Sequence, residues 1–173
     1  CRFLLRVYRL LSQNINVIKD DTLEVEIYMK QKTRDLLFEL TVKEGDPDRI
    51  SNITGTLSGI AGSFDLSSQR ICGEAMNTSF PFARTNDKIT AHTRLLGTTG
   101  LKQSLRIDLT FTDGSSQTIE NDLTDLLKNF NDDMPTPMYI TGDLLTPIEA
   151  DMTATIVGWE NGNEENGENI EIY

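Results

Sequence analysis

The chain holds a single histidine, His92, and that residue limits the chemistry open to it. Zinc sites draw on several imidazole or thiolate ligands, and a nucleophilic triad needs an imidazole to carry the proton. One histidine therefore rules out a multi-histidine metal centre and leaves a triad only with His92 as its base. Serines are plentiful, yet the Gly-x-Ser-x-Gly elbow, the phosphate-cradling loop and the Gly-x-Gly-x-x-Gly fingerprint do not occur. His92 is expected to be an ordinary strand or loop residue, and no catalytic or cofactor-binding residues are expected elsewhere.

Paired carboxylates are the next chemistry to weigh, since glycoside hydrolysis sets two of them across one bond. Asp108, Asp113, Glu120, Asp122 and Asp125 crowd together in sequence. Asp113 fits a hairpin turn and Asp122 a helix cap, while Asp108 and Glu120 fall opposite the apolar stripe of their hairpin, where charge is solvated. Asn131-Asp132-Asp133 and Asn163-Glu164-Glu165-Asn166 offer hard oxygen ligands for calcium, but without the spacing of an EF-hand. No metal site is expected. Trp159, the single tryptophan, ends a strand, where core packing is its expected work and stacking on a sugar ring the alternative. The two cysteines, Cys1 and Cys72, lie far apart, and spacing alone does not show whether they meet.

The elements that position these residues read as strands. Leu105, Ile107, Leu109 and Phe111 alternate with polar residues, Asp113-Gly114 supplies a turn that tolerates positive φ, and a return strand follows. Asn121 or Asp122 then caps a short helix with Leu123, Leu126, Leu127 and Phe130 on one face. Upstream, alternation marks strands at Leu23–Met29 and Leu36–Val42, and Gly45-Asp46-Pro47-Asp48 breaks the pattern. Ile50–Leu66, with Gly55, Gly59 and Gly62, reads as a bent strand carrying a bulge. From Ser67 to Thr99 the pattern is weak, apart from an apolar Phe80-Pro81-Phe82 patch and a strand from Lys88 to Leu96. Strands at Met138–Leu144, Met152–Trp159 and Asn169–Tyr173 complete the chain. Many short strands and one helix predict an all-β fold, an antiparallel Greek-key β-sandwich.

At 173 residues there is room for one main core, and 38% apolar residues in ordered runs can build it. The net charge of −11 argues against nucleic acid, whose phosphates need a basic face. No apolar run is long enough to cross a membrane as a helix.

Four stretches together carry a family likeness: the strand pair ending near Val42, the run Thr56-Leu57-Ser58-Gly59-Ile60-Ala61, the Leu105–Leu127 unit ending in Asp122-Leu123-Thr124-Asp125-Leu126-Leu127, and Val157-Gly158-Trp159 with the strand after it. In these the chain resembles the fimbrillin-associated anchor and minor-subunit lipoproteins of Gram-negative anaerobes, over roughly residues 23–173. The resemblance implies a transthyretin-like sandwich, export to the cell surface and outer membrane, lipidation on a cysteine, and a role in holding or terminating fimbriae.

Transferred to this sequence, it implies a non-enzymatic protein of the fimbrial anchor or accessory type whose partners are fimbrial subunits or other surface proteins. Cys1 is the natural lipid site, and a lipid there would be the sole membrane contact. Contact with a partner would run through sheet edges, with Ile170, Ile172 and Tyr173 of the terminal strand as candidates. Family members have two sandwiches, so residues 1–22 read as an extension or the remnant of a first domain and residues 23–173 as the sandwich itself. The alternative is a secreted carbohydrate-binding sandwich, with a glycan as ligand and Trp159 as its platform.

Overall fold

A computed structural model of the chain describes residues 8–10, 29–132, 136–147 and 153–162. Within them two sheets face each other. The larger is built from β3 (Arg34–Glu44), β6 (Ala83–Thr85), β7 (Lys88–Leu95), β10 (Met138–Leu145) and β11 (Thr155–Gly162), in the order β11-β10-β3-β7-β6. The other is built from β4 (Ile50–Asp65), β5 (Arg70–Pro81), β8 (Ser104–Phe111) and β9 (Ser116–Asp122), in the order β5-β4-β8-β9. A small antiparallel pair, β1 (Tyr8–Leu10) with β2 (Met29–Gln31), stands apart. The expected strands from Leu23 and from Asn169 fall largely or wholly outside the described residues.

Alternation assigns the faces. Leu36, Phe38, Leu40 and Val42 of β3 meet Ile53 and Leu57 of β4 and Leu105, Ile107, Leu109 and Phe111 of β8 in one core. Most of these side chains are fully buried, and each adds about 1.5–3 kcal/mol relative to exposure. Phe38 and Phe80 stack at 5.5 Å between centroids, and Phe82 tilts against both. Gly55 makes that cluster fit, because a Cβ there would stand 2.7 Å from ring atoms of Phe80 and of Phe82.

The expected bend in β4 is present, with register shifts against β5 between Leu57 and Ile60 and between Ala61 and Ser63. Gly59 sits in it at φ +70°, with the Lys102 carbonyl where a side chain would go. The Asp113-Gly114 turn also forms. Gly114 N–H donates to Phe111 O at 3.0 Å, Phe111 N–H donates to Ser115 O at 2.9 Å, and Gly114 alone takes the positive φ, +85°. That is a type I turn closed by a glycine bulge, so Asp113 serves through its carboxylate, which accepts the Ser115 amide at 2.9 Å.

Three expectations need correction. The segment after β9 is a chain of turns and not a regular helix: Leu127 N–H reaches Leu123 O, but the next bonds, Phe130 to Leu127 and Asp132 to Asn129, are one residue tighter. Its apolar spacing still works, since Leu123, Leu127 and Phe130 are buried and Leu126 partly so. The sandwich is not wholly antiparallel, because β10 runs parallel to β3. A twelve-residue strand, β5, occupies what the sequence left illegible, because an edge strand exposed on nearly every residue carries no apolar alternation.

Candidate functional site

Sheet edges are the first candidate, and β5 is the longest of them among the described residues. It is the outermost strand of its sheet, and Arg70 and Cys72 to Asn77 are exposed or nearly so. Natural edges are commonly blunted by lysines, and β5 has none; its charges are Arg70 and Glu74. Gly73, at φ +84°, and the bulges in β4 interrupt its middle, leaving pairing at Arg70–Cys72, Ala75–Met76 and Thr78–Pro81. Met76, 56% exposed, and the free thiol of Cys72 stand on it. The opposite edge of the same sheet, β9, is partly covered, since Gln117 Oε1 accepts the Ala154 amide at 2.6 Å.

A polar cluster on the central strand is the second candidate. His92 on β7 lies opposite Leu37, and Arg94 lies opposite Asp35, so both side chains reach the Asp35 carboxylate across the pair. His92 Nε2 is 2.7 Å and Arg94 Nε 2.8 Å from Asp35 Oδ1. Asp35 is buried, which makes the shared ion contact a fixed part of the sheet. His92 is a strand residue, as expected, and it has a carboxylate partner that the sequence did not reveal. No described hydroxyl or thiol bonds the ring, however, so the histidine and aspartate of a triad stand without a nucleophile. One sequence without cross-strand register could not reveal the Asp35 contact; the adjacent Arg34-Asp35 charges at the head of an apolar strand were the sole hint.

Arg34 does different work. Its guanidinium donates to the carbonyls of Asn129 and Phe130, each at 2.9 Å, and of Thr136 at 3.3 Å, and lies over the Phe130 ring. Burial pulls its pKa below the ordinary arginine value, with Asp132 opposing the shift.

The surface carboxylates settle into local bonds. Asp108 accepts from Thr118 Oγ1 at 2.6 Å and from Arg106, which together hold its pKa below the usual range. Asp122 is held down by the Thr124 hydroxyl and amide, and Asp113 by the Ser115 hydroxyl and amide. Glu120 lies opposite Arg106 on the same solvated face. Asn131 ties Thr98 by three hydrogen bonds; Asp133 and the loop from Asn163 lie outside the described residues.

Trp159 is half-buried on the inward side of β11, against the face of Gly142, where a Cβ would be 3.1 Å from the indole. Its Nε1 is buried without a hydrogen-bond partner among the described residues. Cys1, Ile170, Ile172 and Tyr173 lie outside the described residues.

The family model of the fimbrillin-A associated anchor proteins Mfa1 and Mfa2 matches residues 10–165. The chain belongs to that family. Among solved structures, the fimbrial anchor protein Mfa2 from Porphyromonas gingivalis is similar at TM-score 0.52 and 15% identity, over 78% of this chain and 48% of that one. A candidate adhesin from Bacteroides ovatus is similar at TM-score 0.53 and 12% identity, over 82% of this chain and 54% of the other. These likenesses share the fold of the anchor family member described here, which spans about half the length of each. No curated protein sequence matches it.

Proposed function

We propose that this anchor-family chain is a non-enzymatic cell-surface protein of the fimbrial anchor or accessory type, joining fimbrial subunits through strand-edge and apolar contacts. Family membership over residues 10–165 carries the reading. The open β5 edge supports the mechanism, since unpaired backbone groups accept an added strand and exposed side chains such as Met76 give it a surface to read. The terminal residues Ile170, Ile172 and Tyr173 are the complementary proposal, a strand this chain would itself offer. Deleting the gene and scoring fimbriae by electron microscopy tests the role. Long, loosely shed filaments are expected; fimbriae unchanged in length and attachment would overturn it.

A further inference from the structure

At one end of the sandwich, where β3 and β5 begin and β2 and β4 end, lies a cavity of about 420 Å³. Among the described residues its apolar lining comes from Phe64, Ile71, Leu96 and Phe130, and its charged lining is four cations, Lys30, Lys32, Arg34 and Arg70, against one carboxylate, Asp132. That balance inverts the net charge of −11 carried by the chain as a whole. Lys32 Nζ rests 5.8 Å above the Phe64 ring and 3.4 Å from Gln69 Oε1. Among the described residues neither Lys32 nor Arg70 makes an ion pair. Thr33 lines the same cavity at 6% exposure, and its Oγ1 has no hydrogen-bond partner among the described residues. Buried hydroxyls are nearly always paired, so this orphan beside Lys32 and Arg70 is an unfilled demand for an acceptor.

We propose that this cavity receives a carboxylate side chain of an extended partner strand paired along β5. Arg70 and Ile71 belong both to the cavity lining and to the regularly paired start of that edge, so a strand laid there delivers its side chains to the opening. Arg70 and Lys32 supply the charge, Thr33 Oγ1 donates a neutral hydrogen bond, and Arg34, held by three carbonyls, fixes the wall. The aromatic and aliphatic lining takes an apolar neighbour of the acid. An acidic partner is drawn to this basic concentration in a chain whose net charge is −11. The inference rests on the strand-edge reading above for its direction of approach.

The test is fluorescence anisotropy on the full chain with two short peptides, one alternating glutamate and threonine about a central isoleucine, the other with glutamine for glutamate. The acidic peptide should bind at least about tenfold more tightly, and the advantage should shrink as salt rises. Arg70→Glu, at an exposed position, and Lys32→Glu should each reduce the advantage, and the pair should abolish it with thermal melting unchanged. Equal binding of both peptides, or an advantage surviving in the double variant, overturns the proposal. Displacement by sialyllactose, with proline substitutions in β5 having no effect on peptide binding, would assign the cavity to an acidic sugar and also overturn it. If both peptides bind equally and proline in β5 abolishes both, the edge reading stands and the acidic one falls. If β5 proline variants join fimbriae like the unaltered chain, the edge reading itself has failed.

Discussion

Arg34 is the side chain whose loss should be felt most widely, because one guanidinium satisfies carbonyls of three residues in segments that carry little regular structure of their own. Arg34→Met leaves those groups without their donor, and a loss of about 2–3 kcal/mol is expected in urea unfolding. Gly55→Ala should cost about 1–3 kcal/mol by displacing the rings of Phe80 and Phe82, read the same way. Acid response belongs to this scale as well. Asp108 has a folded pKa below its unfolded one, so the unfolded chain binds the extra proton; the stability it contributes is present above about pH 4 and is lost as pH falls through the folded value. Asp108→Asn should therefore lose less melting temperature than the unaltered chain between pH 6 and pH 3. Individual roles were the least legible in sequence: Asp113 and Asp122 could be read from local turn and cap chemistry, but the Asp35 contacts and the Arg34 staple join residues far apart along the chain.

At the scale of elements, legibility followed one-sided burial. β8 and β10 each bury one face and wrote their alternation plainly, as did β3 from Phe38 onward, and β4 declared its bulge through Gly59. β5 did not, because exposure on both faces frees its residues from any pattern. The turns after β9 were misread as helix because helical spacing and inward-facing apolar residues are common to both, and only the hydrogen-bond ladder separates them. The open character of β5 has a direct consequence. Prolines stepped one at a time through residues 74–79 should be tolerated by the fold wherever the lost amide points away from β4, and those same variants should lose binding to fimbriae in co-sedimentation. Loss of binding only in variants that also unfold would mean that the edge is structural.

For the whole molecule, the sandwich joins two sheets through one core, and the parallel β3–β10 pairing draws the late part of the chain back beside its early part. Such non-local pairing could not be read from the order of strands alone, although the class of fold could. Among the described residues the molecule presents the β5 backbone edge and a charged end cavity as the features that the proposed mode of action uses. The most direct test uses Cys72, exposed on β5. In a Cys1→Ser background, Cys72 is labelled with a benzophenone maleimide, and the protein is mixed with purified fimbriae and irradiated. A Gly114→Cys control, in a background without Cys72, carries the probe on the hairpin turn instead. Cross-linking to a fimbrial subunit from Cys72 and not from the hairpin is the predicted result. Equal cross-linking from both positions, or none from Cys72 while the protein still co-sediments with the filaments, would contradict assembly through the β5 edge.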